Sequence, residues 1–166
     1  MGRRRRRCCA LVSERRYGSV VPSSPQPGAL QPGGLQPGAL LAVALGGAAG
    51  GPARAGLSLA FPTHPGQFPW AILLINVLGA LLIGVLLAIV PLIPGGGSRF
   101  RALTVTGFCG GFTTWSTFMV GADQLVARGH VLTALGYLAA SVVAGLGAVT
   151  LGWTGIQKLT TRGAAA

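Results

Sequence analysis

Four apolar segments separated by short loops place the strongest constraint on how this chain folds. They run from about residue 39 to 61, 69 to 90, 100 to 126 and 131 to 152. Each is close to the ~20 residues that an α-helix needs to cross ~30 Å of hydrocarbon. Inside lipid, every backbone N–H and C=O group must find a partner within the protein. The segments therefore predict an all-α membrane protein with four transmembrane helices.

The composition agrees with a bilayer environment. The 166 residues are 51% hydrophobic and only 9% charged, which leaves too few polar residues to cover a soluble globule. The net charge of +11 would suggest a nucleic-acid partner in a soluble protein. However, Arg3 to Arg7, Arg15 and Arg16 lie ahead of the first apolar segment and are followed by a proline-rich tract. We therefore predict contact with membrane lipid and no nucleic-acid partner.

The ends of the chain differ in character from its apolar body. Residues 1–37 are basic and rich in proline and glycine, with a five-residue repeat that begins at Gln26, Gln31 and Gln36. Proline and glycine at this density prevent a packed helix. We predict a disordered cytoplasmic tail over residues 1–37, a four-helix transmembrane domain over residues 38–158 and a short C-terminal tail over residues 159–166.

The distribution of basic residues predicts how the chain is oriented. Arg128 is the one basic residue in the loop between the third and fourth segments. Basic residues favour the cytoplasmic side of a membrane, so both termini are predicted to be cytoplasmic in a multi-pass protein of the cell membrane. The residues that lie on the same side as the arginine-rich tail are Arg99, Arg101, Lys158 and Arg162.

The third segment is unlike a plain membrane helix. Residues 107–118 read Gly-Phe-Cys-Gly-Gly-Phe-Thr-Thr-Trp-Ser-Thr-Phe, which places a glycine pair, five hydroxyl or thiol groups and four aromatic rings within an apolar segment. In lipid, a helix weakened at Gly110-Gly111 is tolerated only where its freed carbonyls are buried or line an ion path. We therefore predict that the third helix is broken in the middle, at this glycine pair. Opposed carbonyls at the break can form a cation site.

Two polar residues in the first two segments each allow two interpretations. Arg54 faces protein or a wet vestibule, or else it extends its side chain to the membrane surface. Asn76 bonds a neighbouring helix, or else its amide donates to an anion. The glycines Gly46, Gly47, Gly50 and Gly51 form overlapping small-xxx-small motifs, which predict close helix packing rather than a ligand site.

Hydroxyl groups and aromatic rings in the last two segments also leave alternatives open. Thr133, Tyr137 and Ser141 follow one another at four-residue steps, so they share one helix face. Their hydroxyls bond back to their own helix, or they form a ladder for a partly dehydrated anion. Trp115 and Phe118 lie one turn apart; they pack as aromatic neighbours, or their positive ring edges face a small anion.

Together these residues resemble the Fluc/CrcB family of fluoride channels. The resemblance follows the family's motif order over about residues 40 to 155, and the pattern in the third segment is the most specific part of it. The motifs are Gly-Gly-x-x-Gly before Arg54, Asn76-Val-x-Gly79, Gly107-x-x-Gly110-Gly111-x-Thr113-Thr114-x-Ser116-Thr117-Phe118, and Tyr137-x-x-x-Ser141.

The resemblance implies a subunit that forms an antiparallel, dual-topology dimer with two fluoride pores. It also implies a central structural Na⁺ that is not transported and that is held by the backbone carbonyls of Gly110 and Thr113 from each subunit. Fluoride would leave the cytoplasm passively, which lowers its toxicity, and Arg54 would lie near the vestibule. The residues that the resemblance assigns to the fluoride pathway are Asn76, Trp115, Phe118, Tyr137 and Ser141.

This chain departs from the family pattern at two positions. Trp115 replaces the usual phenylalanine, and Gly121 stands where a glutamate is frequent. The charge bias of the chain also bears on the dimer, because an antiparallel homodimer needs one sequence to insert in both orientations. The partner is therefore either an identical subunit or an oppositely oriented paralogue.

Two other classes of membrane protein are alternatives to a channel. A small proton-coupled multidrug exporter needs a carboxylate within the membrane, and the acidic residues here are Glu14 in the tail and Asp123 near the end of the third segment. A non-conducting subunit of a larger membrane complex is the other. No enzyme is predicted, because neither His64 nor His130 lies with a nucleophile or a metal cluster.

Overall fold

The computed structural model of this chain describes residues 37–64, 66–94 and 97–163, and all secondary structure within them is helical. The first helix, α1, spans Pro37–Ala60, and α2 spans Trp70–Ile89 and continues as a 3₁₀ turn over Val90–Leu92. The predicted tail over residues 1–37 lies outside the described residues except for Pro37. The later helices are α3 (Gly97–Arg101), a π-helical segment (Ala102–Cys109), α4 (Gly110–Phe112), α5 (Ser116–Ala127) and α6 (Val131–Gly163).

Three helices in the described part of the chain are long and apolar enough to cross a membrane. They cover Pro37–Ala60, Trp70–Leu92 and Val131–Thr161, which correspond to the first, second and fourth predicted segments. The helix α6 has 33 residues, so at 1.5 Å per residue it is about 50 Å long and exceeds the hydrocarbon thickness. It continues beyond residue 158 into the segment that the sequence assigned to a C-terminal tail.

The third predicted segment is divided into short helical pieces rather than forming one helix. This agrees with the prediction of a broken helix, but the predicted position of the break, Gly110-Gly111, was wrong. Gly110 has helical dihedral angles and α4 continues through Phe112, whereas Thr113 is extended with φ −75° and ψ 158°. Helical conformation resumes at Trp115, whose carbonyl accepts a hydrogen bond from the Met119 N–H at 3.0 Å. Whether this interrupted segment crosses the bilayer stays a prediction.

Gly107 and Gly111 allow close backbone packing against α1, whereas Gly110 continues the helix and faces open space. A Cβ atom added to Gly111 would lie 2.9 Å from the Gly47 carbonyl oxygen, and one added to Gly107 would lie 2.7 Å from that of Val43. A Cβ atom on Gly46 or Gly50 would clash with backbone atoms of the π-helical segment. The predicted packing role of the small residues in α1 is therefore confirmed, because α1 and the third segment touch backbone to backbone.

The helices α2 and α6 approach each other in the same way, and together with α4 and α5 they form the main hydrophobic core. A Cβ atom on Gly152 would lie 2.5 Å from the Leu81 carbonyl oxygen, and one on Gly84 would clash with the backbone of Val149. Phe112, just before the break, and Phe118, just after it, both belong to this core. The buried residues of that core are Ile72, Ile75, Phe112, Phe118, Ala122, Leu125, Ala134 and Tyr137.

Candidate functional site at the helix break

Thr114 stabilises the start of α5 after the break. Its hydroxyl oxygen accepts a hydrogen bond from the Thr117 N–H at 3.2 Å, and the same hydroxyl lies 3.0 Å from Thr117 Oγ1. A threonine hydroxyl that accepts from the N–H three residues later is the usual N-terminal cap of a helix. Thr114 is only 6% exposed, so this cap is shielded from solvent.

Asn76 of α2 forms a reciprocal pair of hydrogen bonds with the backbone of Thr114. The Thr114 N–H donates to Asn76 Oδ1 at 2.9 Å, and Asn76 Nδ2 donates to the Thr114 carbonyl at 3.1 Å. Of the two interpretations of Asn76, bonding to a neighbouring chain segment is therefore realised. An amide has two N–H donors, and the second N–H of Asn76 lies outside this pair.

Gly110 and Thr113 are among the residues whose backbone carbonyls lose their helical donors at the break. In a continuous α-helix, the carbonyl of Gly110 would accept from the Thr114 N–H, and that of Thr113 would accept from the Thr117 N–H. Both amides donate elsewhere, to Asn76 Oδ1 and to Thr114 Oγ1 respectively. Gly110 and Thr113 are the two residues whose carbonyls were predicted to bind Na⁺, and carbonyl oxygens are suitable ligands for a hard cation.

Arg54 of α1 is directed toward this break. Its Nη1 atom donates to the Thr113 carbonyl oxygen over a long distance of 3.4 Å, and the side chain is half-buried. The guanidinium therefore faces protein rather than extending to the membrane surface, which is one of the two alternatives for this residue. Its predicted place in a vestibule stays a prediction.

A groove of about 380 Å³ lies beside the break, between α2 and α6. Four of the five residues predicted to line a fluoride pathway contribute to its wall. The rest of the wall is mostly apolar, so these few polar groups are the ones in the groove that could bind an ion. The four predicted residues are Asn76, Trp115, Phe118 and Ser141.

Five aromatic rings form a continuous row that begins at this groove. The ring centroids of Trp115 and Phe118 are 5.3 Å apart, and those of Phe118 and Tyr137 are 5.0 Å apart. The row continues from Tyr137 to Phe68 at 5.4 Å and from Phe68 to Trp70 at 4.4 Å. The two terminal tryptophans are 74% and 67% exposed, whereas Phe118 and Tyr137 are buried. The row therefore passes through the core and is open at both ends.

The hydroxyl groups on α6 do not bond to one another. Ser141 Oγ donates to the Tyr137 carbonyl at 2.7 Å, which is the predicted alternative of a bond back to its own helix. The Tyr137 hydroxyl is buried and has no hydrogen-bond partner within the described residues, and Thr133 is exposed. A buried hydroxyl without a partner is costly. A ligand that accepts a hydrogen bond at Tyr137 would remove this cost.

Two residues of the site were missed at the level of sequence. Thr114 was recognised only as part of a motif, although Thr114-x-x-Thr117 has the spacing of a helix N-cap and could have shown where α5 begins. Phe68 had no sequence signal, because it lies in the loop before Pro69 and meets Tyr137 only through tertiary packing.

These features define a class of protein, namely a multi-pass, all-helical membrane protein whose interrupted helix exposes backbone carbonyls beside a groove. The model of the family described as "CrcB-like protein, Camphor Resistance (CrcB)" matches residues 41–153. The chain belongs to the CrcB family.

Several curated relatives are similar to this chain over its helical region, and each is named a fluoride-specific ion channel. The FluC 2 protein of Nocardia farcinica is 44% identical over 105 residues, covering 63% of this chain and 74% of the relative. The FluC protein of Leptospira interrogans serovar copenhageni is 44% identical over 81 residues, 49% of this chain and 64% of the relative. That of Francisella tularensis subsp. mediasiatica is 42% identical over 105 residues, 61% of this chain and 81% of the relative.

Proposed function

We propose that this chain is a subunit of a fluoride-specific ion channel that lets fluoride leave the cytoplasm passively. The names of its CrcB relatives support this proposal. The observation that carries it is the groove beside the helix break, in which Asn76, Trp115, Phe118 and Ser141 come together from three separate segments. An amide, a hydroxyl and aromatic edges are the groups that can replace the water around a small anion.

The proposed pathway uses weak, neutral donors. Fluoride is strongly hydrated, so a pore must replace its water without holding the ion too tightly. The second N–H of Asn76 is available for this purpose, and the buried Tyr137 hydroxyl has a proton to donate. Ser141 donates to its own helix here, so it would have to rotate its hydroxyl toward the ion. Trp115 and Phe118 would present positive ring edges, and the Arg54 charge would attract anions nearby.

We further propose that two subunits assemble antiparallel around one structural Na⁺. The carbonyls of Gly110 and Thr113 fit such an ion, because the amides that would pair with them in a helix donate to other groups. Bound Na⁺ would supply the positive charge that offsets repulsion between these carbonyls. Gly110, Ser116 and Thr117 are exposed on the outside of the chain, and a second subunit would shield these polar groups from lipid.

The identity of the second subunit follows from how this chain inserts. We propose that both termini lie in the cytoplasm, because basic residues concentrate on their side of the membrane. The partner is then an identical chain inserted in the opposite direction or an oppositely oriented paralogue. Purification of this chain alone distinguishes the two, since a functional antiparallel homodimer would exclude a requirement for the paralogue.

The purified chain in liposomes is expected to release trapped fluoride down its gradient, as measured with a fluoride-selective electrode. Chloride release should be slower than fluoride release, because the proposed path is too narrow for the larger anion. A channel needs no proton gradient, whereas a multidrug exporter would couple cation movement to protons. Absence of fluoride release from correctly inserted protein, or transport of cationic drugs driven by protons, would contradict the proposed function.

Removal of Na⁺ is expected to reduce fluoride release from the same liposomes. The physical reason is that the Gly110 and Thr113 carbonyls would repel one another without a cation between them. Release should be measured with Na⁺ on both sides and then with a large organic cation in its place. Equal release rates after complete Na⁺ removal would count against the structural ion and leave the fluoride pathway itself untouched.

A further inference from the structure

The Gly110 and Thr113 carbonyls are kept from their helical donors by two particular side chains. Asn76 Oδ1 accepts a hydrogen bond from the Thr114 N–H at 2.9 Å, and Thr114 Oγ1 accepts one from the Thr117 N–H at 3.2 Å. Without these acceptors, the same amides are the natural donors to the carbonyls of Gly110 and Thr113. Each acceptor therefore prevents a backbone hydrogen bond that would close the break.

We propose that the side chains of Asn76 and Thr114 are positioning residues that set the affinity of the break for Na⁺. This inference rests on the proposed function, because it assigns them a role toward the proposed structural ion. In this proposal neither side chain is a ligand of the ion. They act by accepting hydrogen bonds from the two amides, so that the Gly110 and Thr113 carbonyls stay free of their helical donors. Within the described residues, the Thr113 carbonyl then has only the long 3.4 Å contact from Arg54 Nη1, which Na⁺ would have to replace or share.

The surroundings of the pair favour a rigid arrangement. Asn76 holds the Thr114 peptide at both ends, since it accepts from its N–H and donates to its C=O. Thr114 is 6% exposed, so water competes little with these bonds. The same helix also supports Thr113 directly, because a Cβ atom on Gly79 would clash with the Thr113 side-chain methyl. The helix α2 thus positions both residues at the break.

The test measures Na⁺ binding rather than transport. The full chain is purified in detergent, and its thermal unfolding temperature is followed while Na⁺ replaces a large organic cation at constant ionic strength. Outer-shell partners of a metal site usually contribute about 10–100-fold to affinity. Asn76→Ala and Thr114→Val are therefore each expected to raise the Na⁺ concentration at half-maximal stabilisation by about tenfold or more.

Matched controls separate this role from simple loss of stability. Thr114→Ser keeps the hydroxyl acceptor, and Thr150→Val removes a hydroxyl on α6 that bonds back to its own helix. Both variants should keep the wild-type Na⁺ midpoint even if the unfolding temperature falls. The inference is overturned if folded Asn76→Ala and Thr114→Val retain that midpoint, or if the wild type shows no response to Na⁺. Fluoride release from liposomes that contain the wild-type chain is measured separately. Absence of release would contradict the proposed function without changing the Na⁺ midpoints, and unchanged Na⁺ midpoints would contradict this inference without changing the release.

Discussion

Gly50→Ala is expected to destabilise the folded chain strongly, although it adds only one methyl group. A Cβ atom at Gly50 would clash with the backbone of Phe108 and would lie 3.0 Å from the Phe112 amide nitrogen. Because these obstacles are backbone atoms, they cannot rotate away, and overpacking of this kind costs about 1–3 kcal/mol. Thermal unfolding in detergent should show a decrease of about 2–12 °C for a chain of this size.

Gly56→Ala is the matched control for this prediction. Gly56 lies on the same helix, and a Cβ atom there would meet nothing within 4 Å. Alanine in an open helical position is favoured over glycine by up to about 1 kcal/mol. The unfolding temperature should therefore stay the same or rise. If both variants unfold at the same temperature, then close contact between α1 and the third segment does not stabilise the chain.

Phe118→Ile is expected to lower fluoride release from liposomes by about tenfold, which corresponds to about 1.4 kcal/mol in the barrier. Phe118 is 4% exposed and lies in the middle of the aromatic row, between Trp115 and Tyr137. Isoleucine keeps a hydrophobic side chain at this position but has no ring and no positive edge. The measurement is the initial rate of fluoride release per reconstituted subunit.

Loss of packing has to be separated from loss of the ring edge. Phe112→Ile removes another buried ring from the same core, at a position outside the aromatic row. Both variants should lose similar stability, but only Phe118→Ile should lose most of its fluoride release at a temperature where both are folded. Equal release by the two variants would mean that Phe118 acts through packing alone.

Part of the candidate site could be read from the third segment by itself. The pattern from Gly107 to Phe118 predicted an interrupted helix, and the structure has one. The pattern did not locate the break correctly, because Gly110 stays helical and Gly111 packs against the backbone of α1. The local sequence shows that a helix is weak, but it does not show which acceptor its freed backbone N–H groups bond to.

Tertiary packing decided the geometry of the site. Asn76 and Thr114 are 38 positions apart, and their reciprocal hydrogen bonds exist only because α2 lies against the break. The same holds for Phe68, which extends the aromatic row through a contact with Tyr137 on another helix. Neither contact could be predicted from the spacing of neighbouring residues in the sequence.

The sequence by itself determined that the chain is helical, that it suits a bilayer and that small residues bring its helices into backbone contact. These properties follow from the cost of unpaired backbone groups in lipid and from side-chain size, which are local to each segment. Only the tertiary structure decided where the third helix breaks and which carbonyls it frees. That outcome depends on whether an amide bonds to its own helix or to a side chain from another one, and packing determines which acceptor is within reach.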